Sequence, residues 1–180
     1  NFTLKTQETL QHAQQLAFDL GNQSIETGHI LKALLTDNED VVDYLLKKNN
    51  VNVPFLSAKL DEQLEKYPKV SGEGGQVLSR DANNTLLRAS SSLKDFKDEF
   101  VSVEHLLLAI LGGNYDSAKL LHDVRLVPHD LTRDAIVAEL RQLKSAALFD
   151  GFRGSPALDV GAAADIVMAV GRLLAADSAI

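Results

Sequence analysis

The chain has 180 residues, 45% of them hydrophobic and 24% charged, enough to bury one sizeable core. Its net charge of −7 argues against an extended phosphate-binding face, so no nucleic-acid partner is expected. The lack of cysteine excludes disulfides and thiolate chemistry, and no apolar run approaches a membrane span, so a cytoplasmic protein is expected.

Thr3 stands where an N-cap belongs, ahead of a helix whose apolar face is Leu10, Ala13, Ala17 and Leu20. Gly21 ends that helix. GHILKALL (28–35) forms a second helix. A third is expected over about 39–48, with Asp37 or Asn38 as its cap, and a fourth over about 54–66, with Pro54 in its first turn. KYPKVSGEGGQV (66–77) then reads as an exposed connector.

From there the sequence starts again. His29 and His105 are 76 positions apart, and that offset maps the chain onto itself without a gap. Thr9 meets Thr85, Ala13 meets Ala89, Leu31 meets Leu107, Ala33 meets Ala109, and Leu45 meets Leu121. Ser79 takes the place of Thr3. EHLLLAIL (104–111) begins at a Ser102 cap, with Glu104 in the first turn, and stops at Gly112 and Gly113. Two copies are too few for a solenoid. The expected fold is therefore all-α: a pseudo-twofold bundle of two four-helix repeats, about 1–65 and 78–141, with no sheet.

His29 and His105 invite a metal or acid–base reading. No ligand spacing supports it, and His12, His122 and His129 do not cluster with them. A repeated histidine near a helix start suits a structural duty, hydrogen-bonded to nearby backbone. No metal, cofactor or catalytic residue is expected.

The stretches FTLKTQETLQHAQQLA (2–17), GNQSIETGHILKALL (21–35), KYPKVSGEGGQVLS (66–79) and FVSVEHLLLAILGG (100–113) carry a resemblance. Over about residues 1–141 the chain resembles the N-terminal domain of the Clp ATPases, in their ClpB-type disaggregase branch. The resemblance implies a bundle of about eight helices. It also implies a non-catalytic chaperone module that recruits unfolded or aggregated polypeptide for a hexameric, ATP-driven ring. Site residues carried over from the family fall on Thr3, Asp98 and Glu104, expected to lie together on a client-binding surface where the copies meet. Arg88 and Ser92 stand where relatives can have leucine, and Arg88 is expected to shrink the apolar patch offered to clients.

After about residue 141 the composition breaks. Residues 141–180 hold ten alanines, no Glu and no His, and their charges cancel. The tail 142–180 reads as a foreign or fused appendage of a turn plus a helix over 159–176, which a chimera, a natural fusion or a sequence-assembly error would each produce. LFDGFRGSPALDVGAAADIVMAVGRLLA (148–175) resembles a fragment of the ATP-grasp region of NDP-forming acyl-CoA synthetases, which gives an alternative, enzymatic reading. The rest of such a site is missing, as is any P-loop; Arg153 between two glycines is a loop turn on this reading. The isolated chain is expected to be monomeric and without ATPase activity.

Overall fold

In the computed structural model the described residues are 1–37, 41–72, 74–123, 137–138 and 142. They form helices α1 (Leu4–Asp19), α2 (Thr27–Asp37), α3 (Val41–Lys48), α4 (Val53–Glu65), α5 (Arg80–Phe96), α6 (Val103–Leu111) and α7 (Asp116–Asp123), with two short strands, β1 (Ser24–Ile25) and β2 (Val77–Leu78). The sequence motifs explain the boundaries. Thr6 N–H donates to Thr3 Oγ1 at 3.2 Å, and Ala82 N–H donates to Ser79 Oγ at 3.1 Å, so both copies open on a hydroxyl cap. Asn52 caps α4 by accepting from Phe55 N–H at 3.1 Å, and Pro54 lies in its first turn. After α1 the chain turns through Gly21 at φ 72°; after α5 the equivalent Lys97 adopts φ 56°. A left-handed residue is required at this turn in both copies, and only one copy supplies glycine.

The core is centred on α2 and α6, the two histidine helices, which touch each other and carry α1 and α5 on their flanks. Every residue of α6 from Val103 to Leu111 is buried, which is why EHLLLAIL is apolar all round rather than along one stripe. Ile30, Leu31 and Leu34 of α2 interlock with Leu106, Leu107 and Ile110 of α6, and with Leu45, Leu56, Leu60 and Leu121 around them.

Two expectations need correction. The fold is all-α in its bulk, but the copies are stitched by two parallel strand pairings. Ile25 pairs with Leu78, and Phe2 pairs with Val101. These are the same pairing in the 76-residue offset, each joining the start of one copy to the segment before the histidine helix of the other. Thr3 N–H donates to Val101 O at 2.9 Å; its counterpart, Ser79 N–H, donates to Ile25 O at 3.1 Å. Next, Asp37 does not cap α3. It ends α2, and its carboxylate meets His12 Nδ1 at 2.7 Å; Asn38 lies outside the described residues. The connector is largely exposed, as expected, but it is tied by hydrogen bonds. Asn22 Nδ2 donates to Pro68 O at 3.1 Å, Val70 N–H donates to Gly21 O at 2.9 Å, and Val77 N–H donates to Gln23 O at 3.2 Å. Both its ends are thereby tied to copy one. The expected fourth helix of copy two lies outside the described residues apart from Val137, Ala138 and Gln142, and the expected tail helix over 159–176 lies wholly outside them.

Candidate functional site

The histidines occupy matching places. Glu26 N–H donates to His29 Nδ1 at 2.9 Å, and Ser102 N–H donates to His105 Nδ1 at 3.0 Å. Each ring closes the first turn of its own helix, as the glutamate of a capping box does. A backbone N–H on Nδ1 leaves the proton on Nε2. His29 Nε2 then donates to Asn22 Oδ1 at 3.0 Å, and His105 Nε2 lies 3.2 Å from Asp98 Oδ2. Asn22 and Asp98 are again equivalent in the offset. Burial of His29 lowers its pKa from 6.5 to about 4, so the ring is neutral near neutral pH. Among the described residues no group of three or more His, Asp or Glu could hold a metal ion.

Thr3, Asp98 and Glu104 were expected together at the surface. The backbone hydrogen bond from Thr3 to Val101 does set Thr3 beside the 98–104 segment. The two acids point inward: the Asp98 side chain is 6% exposed, and Glu104 is 5% exposed. Two apolar side chains are exposed in these segments, among the exposed Asn1, Lys97 and Glu99. Leu4 is 70% exposed and Phe100 46%. Sequence reading missed both. The offset sets Leu4 against Arg80 and Phe100 against Ser24, whereas the exposed apolar residues of the other junction are Val77 and Leu78, directly before Ser79.

Arg88 lies on α5 and reaches across to α6. Its Nη1 donates to Ala109 O at 2.9 Å and to Tyr115 Oη at 3.2 Å. Ala109 O is one of the last four carbonyls of α6, so the guanidinium completes that helix end where the dipole favours a cation. Ser92 is turned onto its own helix, with Oγ donating to Ala89 O at 2.7 Å. Leu87 remains exposed beside Arg88.

The Clp repeat (R) N-terminal domain family matches residues 1–124. The chaperone protein ClpB of Bacteroides thetaiotaomicron is 39% identical over 142 residues, covering 79% of this chain and 16% of its own length. The ClpB of Porphyromonas gingivalis is 39% identical over 123 residues, covering 68% of this chain and 14% of its own. The chain thus spans about a sixth of these relatives. Among solved structures, the N-terminal domain of ClpV1 from E. coli superposes with a TM-score of 0.65 at 18% identity, covering 80% of this chain and 86% of that one. The Hsp104 N-terminal domain from Candida albicans gives 0.56 at 21% identity, covering 75% and 98%. The expected bundle is shared with these domains. The matched repeat, the cap pattern and the histidine helices all lie within one unit, and the chain belongs to the Clp repeat (R) N-terminal domain family.

Proposed function

We propose that the chain is the polypeptide-docking domain of a ClpB-type unfoldase, non-catalytic in itself, and that it recruits unfolded or aggregated protein at the junction of Thr3 with the 98–104 segment. The observation that carries the reading is the apolar pair Leu4 and Phe100 exposed at this junction of a Clp N-terminal domain. Asp98 and Glu104 act from beneath: Asp98 holds His105, and both acids set the local charge. Residues 1–141 form the docking domain, and 142–180 are an appendage to it. Two exposed apolar side chains give a weak contact, roughly micromolar or poorer. Such contacts become useful when a ring of six subunits presents several domains to one client.

The test is to titrate the 180-residue chain with unfolded casein, ATP–magnesium and CoA in parallel. Casein is expected to bind and the nucleotides are not. Leu4→Ser with Phe100→Ser should weaken casein binding several-fold while circular dichroism stays unchanged. Asp98→Asn, which copies Asn22, should stay folded and shift binding only through charge. Binding indifferent to both variants would place the client elsewhere. The acyl-CoA synthetase alternative finds no support in the family match, which covers residues 1–124, or in the ClpB relatives named above. Binding of ATP or CoA would revive it.

A further inference from the structure

Among the described residues the sheet has only β1 and β2, so β2 has an outer edge. Val77 N–H donates to Gln23 O at 3.2 Å, and Ser79 N–H donates to Ile25 O at 3.1 Å, so both face β1. A trans peptide sets its carbonyl opposite its N–H. The carbonyls of Gln76 and Leu78 therefore point away from β1. The Leu78 N–H does too, because the parallel register of Ser24 with Val77 and Ile25 with Leu78 turns the Val77 carbonyl inward. Among the described residues none of these three outward groups has a hydrogen-bond partner. The side chains at this edge are exposed as well, Val77 at 59% and Leu78 at 42%. The connector ahead of them leaves room: a Cβ on Gly74 or Gly75 would meet nothing within 4 Å.

In the 76-residue offset Phe2 is the counterpart of Leu78, and its outward carbonyl is already used: it accepts from Gln7 Nε2 at 3.0 Å. The counterpart of Gln7 is Asn83, one methylene shorter, and among the described residues it sends no such bond to Leu78. Unpaired donors and acceptors along an extended strand are completed in register only by another extended backbone. A helix has spent those groups on itself, and a lipid surface has no backbone to offer. The Leu78 N–H and C=O are the pair that a single residue of an antiparallel strand exchanges at once. We propose that the outer edge of β2 is a second docking site, where an extended segment of unfolded polypeptide adds as a third strand with Leu78 as its anchor.

This rests on the docking reading above for the class of client, but not for the surface, and the experiment separates the two. The probe is a fluorescein-labelled peptide of alternating threonine and valine, with lysine at both ends for solubility. It is titrated against the whole chain carrying Leu4→Ser and Phe100→Ser, so that the exposed apolar pair of the Thr3 junction is gone. Binding is expected to persist. Amide exchange followed by NMR should slow at Leu78 when the peptide is added, and stay as it was at Val77 and Ser79, whose N–H groups are already bonded to β1. Leu78→Pro, which deletes the outward N–H, should weaken binding about tenfold, the size expected for one or two hydrogen bonds. Leu78→Val, which keeps the N–H and an apolar side chain, should bind as the parent does. The same peptide N-methylated at every central residue should bind poorly; with the amide exchange, it decides the case in which Leu78→Pro does not fold. Binding that is lost with Leu4 and Phe100 overturns the proposal and leaves the docking reading standing. So does binding indifferent to N-methylation, or to a folded Leu78→Pro, or without slowing at Leu78. Peptide binding at Leu78 together with casein binding indifferent to Leu4→Ser and Phe100→Ser keeps the proposal and overturns the Thr3 surface. No peptide bound by the parent chain overturns the proposal.

Discussion

His29 is fully buried and neutral, and its two hydrogen bonds leave no room for a second ring proton: Nδ1 accepts from Glu26 N–H, and Nε2 donates to Asn22. In the unfolded chain the ring titrates near its ordinary 6.5; in the fold it titrates at about 4. Between those values the unfolded state takes up a proton that the folded state refuses. The contribution of His29 is therefore fully present above 6.5, declines as pH falls toward 4, and changes no further below that. The whole shift corresponds to a loss of about 3 kcal/mol. Urea unfolding measured between about pH 7 and about pH 5 should show this decline, and His29→Gln should flatten it while lowering stability near neutrality. An unchanged slope in His29→Gln would assign the decline to other groups. A second single-residue difference concerns the turn after the first helix of each copy. Lys97 bears the strain that Gly21 avoids at the equivalent place. Lys97→Gly is expected to stabilise by about 1 kcal/mol, and Gly21→Ala to cost about the same, since no atom lies within 4 Å of a Cβ there and only backbone strain is at stake. Paired denaturant midpoints check both.

At the scale of elements, the helices were largely legible and the strands were not. Caps, glycine stops and Pro54 are local signals, so Thr3, Ser79 and Ser102 could be read directly, and α1, α4, α5 and α6 fall close to where those residues place them. The duplicated histidines were also legible as structural, because a residue repeated at equivalent helix starts reports a shared local geometry. The pairing of Phe2 with Val101 and of Leu78 with Ile25 could not be seen in this way. Each strand is too short for alternation to show, and its partner lies in the other copy. Asp37 was misread for a related reason: an acid between two helices fits either end, and its pairing with His12 is tertiary. Asp98 and Glu104 were named through the family resemblance, and their inward aim was not legible, because burial of Asp98 depends on His105 seven positions on. Leu4 opens α1 and Phe100 precedes the Val101 pairing, so neither lies inside a periodic run that would report its exposure.

For the whole molecule, reciprocal pairing makes the two copies behave as a dimer written in one chain. Each copy lends its opening residues to the other, and the cores of α2 and α6 meet between them. The connector holds the copies near each other, and only its two ends, through Tyr67, Val70 and Val77, pack on or pair with copy one. Its outer part is exposed, and a Cβ on Gly72, Gly74 or Gly75 would meet nothing within 4 Å. Its ends are separately tied, Val70 to Gly21 and Val77 to Gln23, so a break between them releases neither end. A protease site inserted between Gly74 and Gly75 should therefore be cut without loss of helical circular dichroism, and the two pieces should co-elute on a sizing column. Cutting makes association bimolecular, which costs on the order of 4–15 kcal/mol at a one-molar reference. The nicked domain should accordingly unfold at lower urea than the parent, with a midpoint that rises with protein concentration. A parent chain of the same length shows no such dependence if it is monomeric. Pieces that separate in native buffer, or a midpoint insensitive to concentration, would show that the copies need the covalent link and that the reciprocal strand pairs are too weak to hold them.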